Sequence, residues 1–183
     1  MPREESSDTM SSIMLVGDSI TAAFPVRELL PELNIVNKGV YGDNTELVLS
    51  RLDKDVVSAA PETIFLLIGT NDMACGFTNG TTIGNIDQIL RRCTAGIPDV
   101  TIYLQSILPT RGIDNRPMER IRFLNSQLQR LARIRTVRYL DIGSLFVNSH
   151  GEIQEWYSDD GLHLTSTGYS VWADTLLKVI KKP

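Results

Sequence analysis

The chain has 183 residues, 42% of them hydrophobic and 22% charged, with a formal charge of −4. That length fits one domain able to bury its own core, and the negative balance with scattered basic residues excludes a broad cationic face for nucleic acid or anionic membrane. Cys75 and Cys93 have neither Cys-x-x-Cys spacing nor a nearby His, so they read as reduced thiols, and neither zinc nor a disulfide framework is expected.

Residues 1–11, with Pro2, three acids and three serines, read as a flexible tail ahead of a single domain over residues 12–183. The tail lacks the apolar run of a signal peptide, and Ile13 to Val16 is too short to span a membrane. The cytoplasm is the expected compartment, although a removed leader would leave no trace here. Ser12 to Val16 reads as a buried strand that stops at Gly17-Asp18-Ser19, and a helix follows from about Ala22 to Leu33, interrupted by Pro25 and Pro31. A serine at such a turn can present its hydroxyl beside free N–H groups of the helix start. Taken alone, Gly-Asp-Ser also fits a plain helix cap.

Asn34 to Asn37 is a second strand, followed by the loop Lys38-Gly39-Val40-Tyr41-Gly42-Asp43-Asn44-Thr45, whose glycines let a ligand approach the backbone. Leu47, Val48, Leu52 and Val56 at helical spacing predict a helix, and Thr63 to Ile68 is a continuous apolar run suited to a central parallel strand ending at Gly69-Thr70-Asn71-Asp72. A helix near Thr82 to Cys93, a strand from Val100 to Ile107 and a polar loop from Pro109 to Pro117 follow. Then come a helix over Met118 to Arg135 and a short strand over Val137 to Leu140. After an irregular stretch from Asp141 to Trp156, Thr165 caps a last helix with Tyr169, Trp172, Ala173, Leu176 and Ile180 on its apolar face. Strand and helix alternate, which predicts a parallel sheet covered on both faces, with ligands at the carboxyl ends of the strands. Ser19, Gly42 and Asn71 each follow a predicted strand.

In Ser158-Asp159-Asp160-Gly161-Leu162-His163-Leu164-Thr165, a carboxylate and an imidazole stand three residues apart across a glycine, so one loop can present a base and its orienting acceptor. Ser19 would be the nucleophile, His163 general base then acid, and Asp160 the group that holds the imidazole. The N–H groups of Ser19 and Gly42 and the Asn71 amide would receive an oxyanion. His150 reads as part of a surface turn. Asp18, Asp43 and Asp72 read as capping or loop-bonding acids, and Arg111 and Arg116 as an exposed basic loop, with substrate contact as the alternative. Trp156 and Tyr157 read as anchors of the triad loop, with substrate lining as the alternative.

Gly17-Asp18-Ser19-Ile20, Gly39-Val40-Tyr41-Gly42-Asp43-Asn44, Gly69-Thr70-Asn71-Asp72 and Asp160-Gly161-Leu162-His163 resemble, in order, the four sequence blocks of the SGNH (GDSL-like) hydrolases. Ile20 stands where that family's name has Leu, which leaves Ser19 unaffected. The resemblance implies a flavodoxin-like three-layer α/β/α sandwich with a five-stranded parallel sheet, and hydrolysis of esters or thioesters without metal or cofactor. It gives the same roles to Ser19, Gly42, Asn71, Asp160 and His163. Ser106 to Arg111, Asn125, and Asp160 to Thr165 are similar to the branch containing platelet-activating-factor acetylhydrolase catalytic subunits and bacterial acetylesterases. That branch implies removal of a short acyl group, acetyl first, from a carbohydrate or small lipid ester. It also admits a homodimer, and neither nucleic acid nor membrane insertion is expected. The alternatives are a lysophospholipase or thioesterase of the same family, a non-catalytic flavodoxin-like phosphate binder, and an interaction subunit. The last two leave the Asp160 and His163 pair without a purpose.

Overall fold

The computed structural model describes residues 12–181, so the expected tail at residues 1–11 lies outside the described residues. Five strands, β1 (Ile13–Gly17), β2 (Ile35–Gly39), β3 (Thr63–Leu67), β4 (Thr101–Gln105) and β5 (Arg138–Leu140), form one all-parallel sheet in the order β2-β1-β3-β4-β5. This is the flavodoxin-like α/β/α sandwich that the family resemblance implied.

Alternation along each strand sorts the core into two layers. Met14, Val16, Ile64, Leu66, Ile102 and Leu104 face one side, where they pack with α3 (Thr45–Asp55), α5 (Asn79–Gly96) and α6 (Met118–Arg135). Ile13, Leu15, Phe65, Leu67 and Tyr103 face the other, beneath α1 (Ser19–Ala22), α2 (Val26–Leu29) and α7 (Ser166–Ile180). A strand buried on both faces must be apolar at every position, which is why β1 and β3 read as continuous hydrophobic runs.

Several element boundaries depart from the sequence reading. The helix expected from about Ala22 to Leu33 is two single turns, α1 and α2, with Pro25 between them and Pro31 beyond. Proline lacks the N–H that helix continuation requires. An extra turn, α4 (Thr70–Ala74), carries Asn71, and α5 begins at Asn79 because the Thr78 side chain accepts from the Thr81 N–H. β4 stops at Gln105, short of the expected Ile107. The Ile107 N–H and carbonyl are both taken by the Asn125 side-chain amide, at 2.8 and 2.9 Å, so no ladder continues through them.

The α7 face fixes the serine turn from behind. Trp172 is fully buried, its ring 5.0 Å from Phe24 in an edge-on arrangement, and its indole N–H donates to Gln105 Oε1 at 2.7 Å. One turn earlier, the Tyr169 hydroxyl donates to the Ile20 carbonyl at 2.9 Å, tying α7 to the residue after Ser19. Thr165 caps α7 as expected. Replacing Trp172 with Ala should therefore lower the unfolding free energy by about 3–5 kcal/mol, read from denaturant midpoints at unchanged slope. A loss below about 1 kcal/mol would contradict this account of the α7 face.

Candidate active site

The site begins with the turn between β1 and α1. Gly17 is obligatory there: a Cβ would lie 2.2 Å from Thr21 Oγ1 and 2.3 Å from the Leu67 carbonyl oxygen. With the turn held this tightly, Asp18 becomes the N-cap of α1, its carboxylate accepting from the Ile20 N–H at 3.0 Å. Ser19 is thus the first residue of α1, and the first-turn N–H groups of a helix have no partner within it.

β2 and β3 flank β1 and stop level with it, pairing Gly39 with Gly17 and Leu67 with Gly17. The loop after β2 carries Gly42 at φ +82°, and the turn after β3 carries Asn71. Asn71 Nδ2 donates to the Asp43 carbonyl at 2.8 Å, so the two donor-bearing loops are joined by a direct hydrogen bond. Asn71 Oδ1 accepts from Arg116 Nη2 at 3.0 Å. Behind them, the buried Asp72 accepts from both the N–H and the hydroxyl of Thr45, and Asn85 donates to that hydroxyl at 2.9 Å. The Asp43 carboxylate pairs with Arg51 Nε at 2.7 Å, while Arg51 Nη2 donates to the Lys38 carbonyl at 2.9 Å.

The third component is the loop before α7. Asp160 Oδ1 accepts from the N–H groups of Leu162 and His163, both at 2.8 Å, and Oδ2 lies 2.7 Å from His163 Nδ1. His163 Nε2 lies 3.0 Å from Ser19 Oγ. The loop is clamped from below by Arg111, whose guanidinium donates to the carbonyls of Ile153 and Ser158 at 2.9 Å and whose N–H donates to Gly161 at 2.9 Å. Gly161 has φ +78°, and a Cβ would sit 2.1 Å from the Arg111 carbonyl oxygen, so only glycine fits.

These contacts set the protons. Partial burial raises the Asp160 pKa, but the hydrogen bonds from the His163 ring, the His163 N–H and the Leu162 N–H outweigh it and hold the carboxyl down at about 2. An ionised Asp160 can only accept, so His163 Nδ1 carries a hydrogen. In the neutral ring Nε2 is then the acceptor for the Ser19 hydroxyl. Asp18 goes the opposite way. Burial pushes it up to about 7, only partly offset by the Ile20 N–H and by the charges of His163 and Arg116.

All five residues expected at the site, Ser19, Gly42, Asn71, Asp160 and His163, lie at this end of the sheet. Ser19, His163 and Asp160 form one hydrogen-bonded series. Asp18 caps α1 as expected, but Asp43 pairs with Arg51 rather than bonding loop backbone. Arg111 and Arg116 are not an exposed basic loop: both are half-buried and committed to protein acceptors. Tyr157 anchors the loop edge-on against Phe146 at 5.4 Å, whereas Trp156 is 64% exposed. His150 lies in a surface turn, and Cys93 is buried with its thiol pushed up to about 11 by burial. Arg51 was missed by the sequence reading, since its partners are reached only through folding. Among the described residues, no three His, Cys, Asp or Glu side chains are grouped to hold a metal ion, and no helix is long and apolar enough to cross a membrane.

A three-layer parallel α/β fold with a Ser–His–Asp series at the carboxyl edge of its sheet is the architecture of a serine-dependent hydrolase. Residues 15–171 match the model of the GDSL-like Lipase/Acylhydrolase family. The platelet-activating factor acetylhydrolase IB subunit alpha2 of Rattus norvegicus is 31% identical over 170 residues, covering 89% of this chain and 73% of that protein. The N-acylneuraminate cytidylyltransferase of Escherichia coli is 25% identical over 176 residues, and there the chain spans only 41% of its relative's length. The crystal structure of a lipase/acylhydrolase from Enterococcus faecalis superposes with a TM-score of 0.81 at 25% identity, over 94% of this chain and 96% of that one. The chain belongs to the GDSL-like lipase/acylhydrolase family and is an ester hydrolase.

The raised Asp18 pKa carries a pH signature. Between its ordinary value of 3.8 and about 7, the folded protein holds a proton that the unfolded chain releases, so stability falls as pH rises through that window. Asp18→Asn keeps an acceptor for the Ile20 N–H and removes the titration. Unfolding measured from pH 4 to 8 should show a flatter decline in the variant, the two proteins diverging by on the order of 3 kcal/mol. Parallel curves would contradict this.

Proposed function

We propose that this chain is a single-domain serine esterase, residues 12–183, that removes short acyl groups, acetyl foremost, from a carbohydrate or small lipid ester through an acyl-enzyme. The observation that carries the reading is the hydrogen-bonded series from Ser19 Oγ through His163 to Asp160.

In this mechanism Ser19 Oγ attacks the ester carbonyl as His163 Nε2 takes the hydroxyl proton. The charge forming on His163 is balanced by Asp160, which stays ionised because its pKa lies near 2. The carbonyl oxygen becomes an oxyanion and accepts from the N–H groups of Ser19 and Gly42 and from the Asn71 Nδ2 hydrogen not used by Asp43. Collapse breaks the bond to the alkoxy oxygen. His163 returns the proton to that oxygen, and the alcohol leaves. Water, deprotonated by His163, then attacks the acyl-Ser19; the second collapse breaks the bond to Ser19 Oγ, which takes the proton back from His163, and the acid leaves.

Openness supports a short acyl group. The side chains of His163 and Asp160 are 44% and 55% exposed, and nearby Tyr41 and Trp156 are 70% and 64% exposed. A cavity of about 390 Å³ between α6 and the segment around Asp141 to Gly151 includes none of the five site residues, so it does not extend the site into an acyl tunnel. An extended chain would project into water and gain little. The acetylhydrolase name of the Rattus relative points the same way.

Hydrolysis of p-nitrophenyl acetate, butyrate and octanoate tests this, with Ser19→Ala alongside. Expected is kcat/KM falling beyond about four to six carbons and loss of turnover by at least about 10³-fold in the variant. A faster octanoate reaction would overturn the short-acyl reading. Turnover surviving Ser19→Ala would overturn the serine mechanism.

A further inference from the structure

We infer that Arg116 is a positioning residue for the oxyanion site: its guanidinium fixes the Asn71 amide so that one Nδ2 hydrogen always faces the substrate oxygen. The inference rests on the role proposed above for Asn71.

An asparagine amide has nearly the same shape in either flip, and only its partners decide which end is the donor. At Asn71 the partners are chemically one-sided. Arg116 Nη2, at 3.0 Å, can only donate, so the atom it meets must be Oδ1. The Asp43 carbonyl, at 2.8 Å, can only accept, so the atom it meets must be Nδ2. Two anchors on opposite ends of a planar group fix its plane as well as its flip. The second Nδ2 hydrogen has no acceptor among the described residues, and its direction is therefore set before substrate arrives. Donors held this way cost no reorganisation when charge develops.

The arm that delivers the guanidinium is itself held. The Arg116 N–H donates to the Ile113 carbonyl at 3.0 Å, and the hydroxyl of the buried Thr110 donates to the Arg116 carbonyl at 2.8 Å. Pro117 then caps α6. Nη1 donates to Asn115 Oδ1 at 3.1 Å, so both terminal nitrogens are engaged. Arg116 Nε is buried and has no hydrogen-bond partner among the described residues. A buried N–H left without a protein partner costs stability. Its contact with Asn71 supplies the reason for its placement. The guanidinium also lies close enough to lower the Asp18 pKa, which puts its positive charge next to the serine turn.

The test compares Arg116→Met, which keeps the stem and removes the donors, with Arg116→Lys, which keeps a charged donor group without the planar fork. p-Nitrophenyl acetate kinetics are measured for both, for Asn71→Ala and for the double variant Asn71→Ala with Arg116→Met. Expected is a fall in kcat of about 10- to 100-fold for Arg116→Met at unchanged KM, against about 10²- to 10³-fold for Asn71→Ala. Arg116→Lys should fall between Arg116→Met and the unmodified enzyme. The double variant should be no slower than Asn71→Ala, because the arginine acts through the amide. Millimolar guanidinium chloride should restore part of the rate to Arg116→Met and none to Asn71→Ala. Wild-type kcat in Arg116→Met, a change confined to KM, or losses that multiply in the double variant would each overturn the inference. If Arg116→Met melts early, the rate of Arg116→Lys relative to wild type and its double with Asn71→Ala decide by the same rule. Turnover undiminished in Ser19→Ala would instead overturn the serine mechanism on which the role of Asn71 rests, so the two failures are distinguishable.

Discussion

The site depends on three neighbouring parallel strands ending level with one another. β2, β1 and β3 stop in register at Gly39, Gly17 and Leu67, so the loops that leave them start from one line across the sheet. Parallel hydrogen bonding holds that line, and burial of β1 and β3 on both faces prevents slippage, because a one-residue shift would exchange the two core layers. Ser19, Gly42 and Asn71 come from sequence positions far apart, yet each lies within a few residues of a strand end. Their relative placement is a property of the sheet before it is a property of the loops.

The loops contribute a second level of constraint, made of buried polar ties. Asp72 with Thr45 and Asn85, Asp43 with Arg51, and Asn71 with Asp43 and Arg116 link the strand ends to α3, α5 and the segment before α6. Such ties gain little net stability, but any one of them left half-made would be costly, so the set selects a single arrangement. Asp18 is the exception, a buried acid whose neighbours do not fully compensate it. It sits where the backbone must turn sharply to present Ser19. His163 and Asp160, by contrast, are substantially exposed, and their loop is held through its backbone by Arg111 and Gly161. Under the proposed mechanism this pairs rigid oxyanion donors with an accessible base, which suits chemistry on a substrate that binds at the surface.

Much of this was legible in the sequence because it is local. The unbroken apolar runs of β1 and β3 announce buried parallel strands, and the glycine-rich blocks after them announce tight turns. The three-residue spacing of Asp160 and His163 announces one loop. What the sequence hid was of two kinds. Short helical turns such as α1 and α4 are too brief for periodicity, and α5 opens on Asn79-Gly80, which looks like loop until Thr78 is seen capping it. The other kind is tertiary. Arg116 and Asn71 are 45 residues apart and Arg51 and Lys38 are 13 apart, and no local pattern tells a basic side chain where its acceptor is. The same holds for Ile107, which looks like strand but gives its backbone groups to the side chain of Asn125.

The central claim is that Ser19 is activated by His163, itself held by Asp160. Labelling with a fluorophosphonate, followed by intact-mass and peptide analysis, tests it most directly because it needs no knowledge of the natural substrate. The account predicts one adduct per chain, located on Ser19, forming at least about 10²-fold more slowly in His163→Ala and in Asp160→Asn. Labelling of another residue, or a Ser19 rate unchanged in His163→Ala, would contradict it.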